Sequence, residues 1–342
     1  MRAVTFEATG GPDVLKPVEI PDPQPGPGQV RVKVAAAGIC FHDLLSRSGK
    51  IPGAKPGQVL GHEIAGTIDR VGGGVSDTVL GQRVTVFQRL FCGRCSHCLD
   101  GRQDLCRYSS ILGEHGGGGY AEYIVVPQQN VVEVPDSVPF EHAALAVCPI
   151  GTSLRALVGI ANVRPGDTVL ITGASGGLGL HQIQIAKALG ASVIAVTSSG
   201  RKQDALRAAG ADHVVVAADL KFSREVWSLT GKQGVNAVME NVVSSTFEES
   251  MRAMGAGAVC VVLGNVDVQT VAVNPGLMIM RRLRLQGSGS ATFADVRMGL
   301  AMIAAGTLKP IVDRVLPFTQ AAAGHALLEG RGATGRVVLS GW

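Results

Sequence analysis

The stretch Ile171-Thr172-Gly173-Ala174-Ser175-Gly176-Gly177-Leu178-Gly179 constrains this chain more than any other. An apolar run at residues 168–171 precedes it and reads as a buried strand. Residues 178–189 follow with helical apolar spacing, and Gly190 stands where a C-cap belongs. A second strand-like run at 192–197 completes a strand–helix–strand unit. A glycine pattern alone is weak evidence. In this context the glycines let the backbone turn sharply and approach a pyrophosphate, while the helix N-terminus offers free N–H groups and a positive dipole end. Gly173, Ser175, Gly176, Gly177, Leu178 and Gly179 are therefore candidate dinucleotide contacts.

The alternation continues downstream. Segments 201–209 and 247–254 read as helices, and 213–216, 236–239, 258–263 and 283–287 as strands. That pattern predicts an α/β unit, a doubly wound parallel sheet with right-handed crossovers. Residues before 150 read differently, as short strands divided by glycine and proline turns, a small β-rich domain. The tail ends in strand-like 335–340, which is expected to pack back on the first domain. The predicted organisation is a discontinuous domain, 1–149 with 288–342, around a dinucleotide-binding domain, 150–287. A chain of 342 residues can bury a core in each.

With 46% hydrophobic and 17% charged residues, the chain should be globular. Its net charge of +4 is scattered without a basic stripe, which argues against nucleic acid. No apolar run reaches membrane-spanning length and no signal peptide is evident, so a cytoplasmic location is expected. The seven cysteines then need an explanation other than structural disulfides.

Cys92, Cys95, Cys98 and Cys106 fall in one polar lobe, 91–107, with two, two and seven residues between them. Four thiolates at this spacing can close a tetrahedron around Zn²⁺ and leave no open position, so the site reads as structural. An iron–sulfur cluster is an alternative, but nothing else in the chain reads as electron transfer. Cys40, His62 and Cys148 lie far apart, each at the end of a strand or the start of a helix. Together they match an open catalytic zinc set, with Glu63 placed to fill the fourth position at rest. Asp43 is placed to accept the His62 ring N–H. Cys260, in an apolar run, reads as core.

These features resemble the zinc-dependent medium-chain alcohol dehydrogenases. The matching residues are Gly38-Ile39-Cys40-x-x-Asp43, Gly61-His62-Glu63, the four-cysteine lobe, Gly119-Tyr120-Ala121-Glu122-Tyr123, Cys148 with Thr152, and the glycine turn. The resemblance implies a GroES-like catalytic domain, a Rossmann domain and two zinc ions per chain. It also implies hydride transfer between a nicotinamide and an alcohol or carbonyl substrate, and a homodimer or homotetramer. It places Thr152 near the nicotinamide and Arg336 near the phosphates. One departure is His42, which stands where that branch carries Ser or Thr to relay the alcohol proton; an imidazole can take that role. Another is similarity to the acryloyl-CoA reductase branch in the glycine turn, in Leu263-Gly264-Asn265 and in Gly287-Ser288. The resemblance assigns those five residues to the cofactor as well. Reduction of a conjugated C=C with NADPH thus stays open beside carbonyl chemistry. A non-catalytic NADPH-binding sensor is a third reading, and the open ligand set disfavours it.

The second strand is followed by Ser198-Ser199-Gly200-Arg201-Lys202, without the acid that usually meets the ribose hydroxyls of NAD. Arg201, with Lys202 beside it, suits a 2′-phosphate. NADP(H) is the expected cofactor, in preference to NAD(H).

Overall fold

The computed structural model describes all 342 residues. They form two compact units, Met1–Gly151 with Ser290–Trp342, and Thr152–Gly289.

The second unit holds a six-stranded parallel sheet. Its spatial order is His213–Val216, Ser192–Thr197, Thr168–Ile171, Val235–Glu240, Met254–Val262, Arg284–Gly287. Numbered along the chain this is 3-2-1-4-5-6, the Rossmann order. Helix Gly179–Ala188 follows the first strand directly, and Gly190 beyond it has φ +80°. Val169, Leu170, Ile171, Val193 and Ile194 are buried, as strands covered on both faces require. The fifth strand begins four residues before the apolar run at 258, because Met254 pairs with Val235 ahead of a register shift. Gly255 and Gly257 lie in that extension and conceal it from a hydrophobicity reading. Helix Pro275–Arg281 was also silent in the sequence. It fully buries none of its residues: Leu277 and Met278 pack half-buried against the core, but Ile279 and Met280 are exposed, so its apolar run shows no one-sided spacing.

The first unit is built on a seven-stranded sheet. Its long strand Gln29–Gly38 pairs antiparallel with Glu63–Val71, with Tyr123–Pro127 and with the tail strand Arg336–Ser340. The register sets Gly38 opposite both Glu63 and Val338. The pairing gives the last residues a place in the sheet that the first residues build. A hairpin of Arg2–Phe6 and Leu15–Glu19 lies apart from this sheet. Its second strand escaped the sequence reading because Pro17 interrupts the alternation.

Candidate functional site

Three backbone devices bring the candidate ligands of the first unit together. Cys40 follows the strand ending at Gly38 and precedes helix Phe41–Ser48, with its backbone N–H donating to Asp43 Oδ2 at 3.0 Å. His62 and Glu63 sit where the strand Glu63–Val71 begins. Gly61, at φ +95°, precedes them, and any Cβ there would lie 2.5 Å from the Tyr120 ring. Cys148 lies in a π-helical segment, Ala146–Gly151, that contains Pro149. Such segments displace a side chain from ordinary helical register and recur at functional sites.

The result is a compact set. The ligand atoms of Cys40, His62, Glu63 and Cys148 all lie within 4.8 Å of one another. Cys40 Sγ and Cys148 Sγ are 4.0 Å apart. Tetrahedral zinc with Zn–S near 2.3 Å gives an edge of about 3.8 Å. His62 and Glu63 are buried, and Glu63 Oε2 has no hydrogen-bond partner. A buried carboxylate, an imidazole and two facing thiols are the donor set of a divalent cation. Two thiolates would balance its charge.

The electrostatics follow from this crowding. The hydrogen bond from Cys148 favours a thiolate at Cys40, and Arg336 and His62 add to it, holding Cys40 well below the ordinary thiol range. Cys148, keeping the proton, is pushed up by Cys40 and by burial. Burial raises Glu63 to about 7 despite the opposing Arg336. Burial alone would lower His62, but the charges of Asp43 and Cys40 override it and raise it well above the ordinary value. His62 Nδ1–H donates to Asp43 Oδ1 at 3.0 Å. That bond leaves Nε2 available to a metal.

Arg336, expected beside the phosphates, has partners of its own in the first unit. It is buried in the first unit, with Nη2 2.8 Å from Glu63 Oε1 and Nη1 donating to the Ile39 carbonyl at 3.4 Å. A buried carboxylate needs a counter-charge, and the pairing of the tail strand with Gln29–Gly38 supplies one. His42 packs edge-on against His62, with ring centroids 5.9 Å apart. Its Nε2 meets Glu114 Oε1, a carboxylate that the sequence reading missed. The two are 72 residues apart, so no local pattern signals the pair. Tyr120 and His325, which extend the Asp43 hydrogen bonds, were likewise not singled out as site residues.

In the lobe, Cys95 Sγ is 3.5 Å from Cys98 and 3.9 Å from Cys106, and Cys92 is 4.0 Å from Cys98. These are again tetrahedral edges. Backbone N–H groups, that of Arg94 foremost, lower Cys92 to about 6 and favour its thiolate.

The candidate cofactor residues gather at the carboxyl edge of the parallel sheet. The turn Gly173–Gly179 follows Thr168–Ile171, and Ser198, Ser199, Arg201 and Lys202 follow Ser192–Thr197. Leu263, Gly264 and Asn265 follow Met254–Val262, and Ser288 follows Arg284–Gly287, which ends on Gly287. Ligands of open α/β sheets bind at this edge. A Cβ on Gly179 would stand 2.5 Å from Ala174 backbone atoms, so helix and turn approach as closely as glycine allows. Arg201 is exposed, and its backbone N–H is capped by Ser199 Oγ at 3.4 Å. Thr152 is buried in the short helix Thr152–Leu154, ahead of the first strand and away from the edge loops in sequence.

Comparison with known proteins agrees with this architecture. The family profile for the alcohol dehydrogenase GroES-like domain matches residues 26–136, and that for zinc-binding dehydrogenases matches 177–305. The chain is 34% identical over 322 residues to an acryloyl-coenzyme A reductase of Sulfurisphaera tokodaii, covering 94% of this chain and 95% of that one. The crystal structure of AibC matches with a TM-score of 0.93 at 39% identity, over 100% of this chain and 96% of that chain. A crystal structure of an NAD-dependent alcohol dehydrogenase matches with a TM-score of 0.93 at 38% identity, over 99% of both chains. The chain belongs to the zinc-type medium-chain dehydrogenase/reductase family, with GroES-like and Rossmann-like domains. It is an oxidoreductase of that family, whose members similar to it include both alcohol dehydrogenases and acryloyl-coenzyme A reductases.

Proposed function

We propose that the chain is a zinc-dependent carbonyl reductase and alcohol dehydrogenase that uses NADP(H) in preference to NAD(H). The observation that carries this reading is the convergence of Cys40, His62, Glu63 and Cys148 on one buried point. When bound, the ion supplies Lewis acidity at the substrate oxygen and the nicotinamide supplies the hydride. The protein does the rest. Cys40, His62 and Cys148 would hold the metal, Glu63 would be the fourth donor, and Arg336 beside it balances its charge. His42 is 42% exposed at its side chain, so its ring can exchange a proton with water while Glu114 fixes Nε2. That arrangement supports His42 as the proton relay. The exposed Arg201, with Lys202, supports recognition of the 2′-phosphate. A cytoplasmic homodimer or homotetramer with a small alcohol or carbonyl substrate completes the reading. No helix is long and apolar enough to cross a membrane.

A second reading is NADPH-linked reduction of an enoyl thioester. The similarity to acryloyl-coenzyme A reductase favours it. One experiment separates the two: NADPH and NADH are each offered with an aldehyde, a ketone and an enoyl thioester. Faster turnover of the aldehyde or ketone with NADPH supports the first reading. Turnover of the thioester alone establishes the second.

A further inference from the structure

Behind the metal ligands runs a hydrogen-bonded chain whose direction chemistry fixes. Asp43, Tyr120 and His325 are 2%, 0% and 0% exposed. Tyr120 Oη lies 3.1 Å from Asp43 Oδ2 and 3.2 Å from His325 Nε2. Asp43 is ion-paired with His62 and already accepts the backbone N–H of Cys40, the setting of a carboxylate. An ionised carboxylate only accepts, so the Tyr120 hydroxyl donates to it. That uses the single hydroxyl proton. Tyr120 Oη must then accept from His325, which therefore carries its proton on Nε2. Nδ1 is left bare, and it is the nitrogen without a partner. Burial pushes His325 down to about 3, consistent with a neutral ring. The order of donation is His325 to Tyr120 to Asp43. Asp43 Oδ2 also accepts from the Cys40 N–H, and Oδ1 accepts from His62 Nδ1. Three donors leave the carboxylate one orientation.

We propose that Tyr120 and His325 are positioning residues of the metal centre: His325 orients the Tyr120 hydroxyl, that hydroxyl locks Asp43, and Asp43 holds His62 with Nε2 presented to the ion. His325 is 205 residues from Tyr120 and lies in helix Ala321–Glu329, so the last part of the chain takes part in setting the site. The inference rests on the reading of Cys40, His62 and Cys148 as zinc ligands, and it is tested without substrate.

The test is zinc release to a chromogenic chelator, with total zinc counted first. Tyr120→Phe keeps the ring and removes the hydroxyl. Loss of a group bonded directly to a metal ligand weakens metal binding about 10- to 100-fold, and the Tyr120 hydroxyl acts one bond further out, through Asp43, so the lower end, about 10-fold, is expected. The ion of the first site should leave that much more readily, while release from the four-cysteine lobe is unchanged. His325→Leu should weaken retention as well, and His325→Gln, which keeps an N–H donor, should restore it. Since His325 acts through Tyr120, adding His325→Leu to Tyr120→Phe should cost nothing further. Wild-type release rates in Tyr120→Phe would overturn the proposal, as would additive losses in the double variant. A lowered thermal midpoint with unchanged zinc release would show a structural role alone and would also overturn it. A wild-type chain with zinc only in the lobe would instead overturn the ligand reading on which the proposal rests.

Discussion

Asp43 joins more of the site than any other residue, since it caps the Cys40 N–H, fixes His62 and accepts from Tyr120. Its pairing with His62 was readable from sequence because both flank ligand motifs. The partners Glu114 and His325 were not, because they reach the site only through folding. His325 has a measurable consequence of its own. Its ring is held neutral down to about 3, whereas a free imidazole titrates near 6.5. The unfolded chain therefore binds a proton that the native chain refuses, and stability falls as pH drops below about 6.5 toward 3. The loss runs at about 1.4 kcal/mol per pH unit. Thermal midpoints at pH 7, 6 and 5 should fall less steeply in His325→Gln than in the wild type; parallel curves would contradict the assignment. Arg201 is the residue on which cofactor choice turns. A hydrogen bond to a charged group contributes about 1.5–3 kcal/mol. Arg201→Ala should accordingly raise the KM for NADPH about 10- to 100-fold and leave that for NADH unchanged. Equal effects on both cofactors would remove the 2′-phosphate assignment.

Among the elements, the strand–turn–helix unit was the most legible, since an apolar run, a glycine turn and a capped helix agree at each level. The turn is also where a single methyl group does most harm. In Gly179→Ala the new carbon meets backbone atoms of Ala174, which cannot rotate away. Overpacking of this kind costs about 1–3 kcal/mol. The variant should melt earlier and bind NADPH more weakly by fluorescence titration; an unchanged melting curve would show that the turn is looser than described. The lobe shows the opposite logic. It is too short to bury a core, so the cysteine spacing was its only readable signal, and metal should hold its fold. Cys95→Ala should lose one zinc and open residues 91–107 to proteolysis. An intact lobe in the zinc-depleted variant would contradict this. Helix Pro275–Arg281 was hard to read because its apolar residues divide between a half-buried pair, Leu277 and Met278, and an exposed pair, Ile279 and Met280.

At the scale of the molecule, the order of the parallel strands and the family relationship agree on a Rossmann-like unit within a zinc-type dehydrogenase. The return of the last strand to the first sheet could only be suspected from sequence. Partners as far apart as Arg336 and Ile39, 297 residues, leave no periodicity to read, yet Arg336 reaches Ile39 and Glu63 by this route. Substrate choice depends on the shape of a pocket rather than on motifs, and spacing says nothing about it. The central claim is that the thiolates of Cys40 and Cys148 and the His62 imidazole hold a zinc ion on which turnover depends. Its most direct test is zinc per chain, measured together with NADPH-linked carbonyl reduction, in the wild type and in Cys148→Ser. The account predicts two ions with turnover in the wild type, and one ion with turnover abolished but NADPH still bound in the variant. A variant that lost the ion and kept full turnover would contradict it.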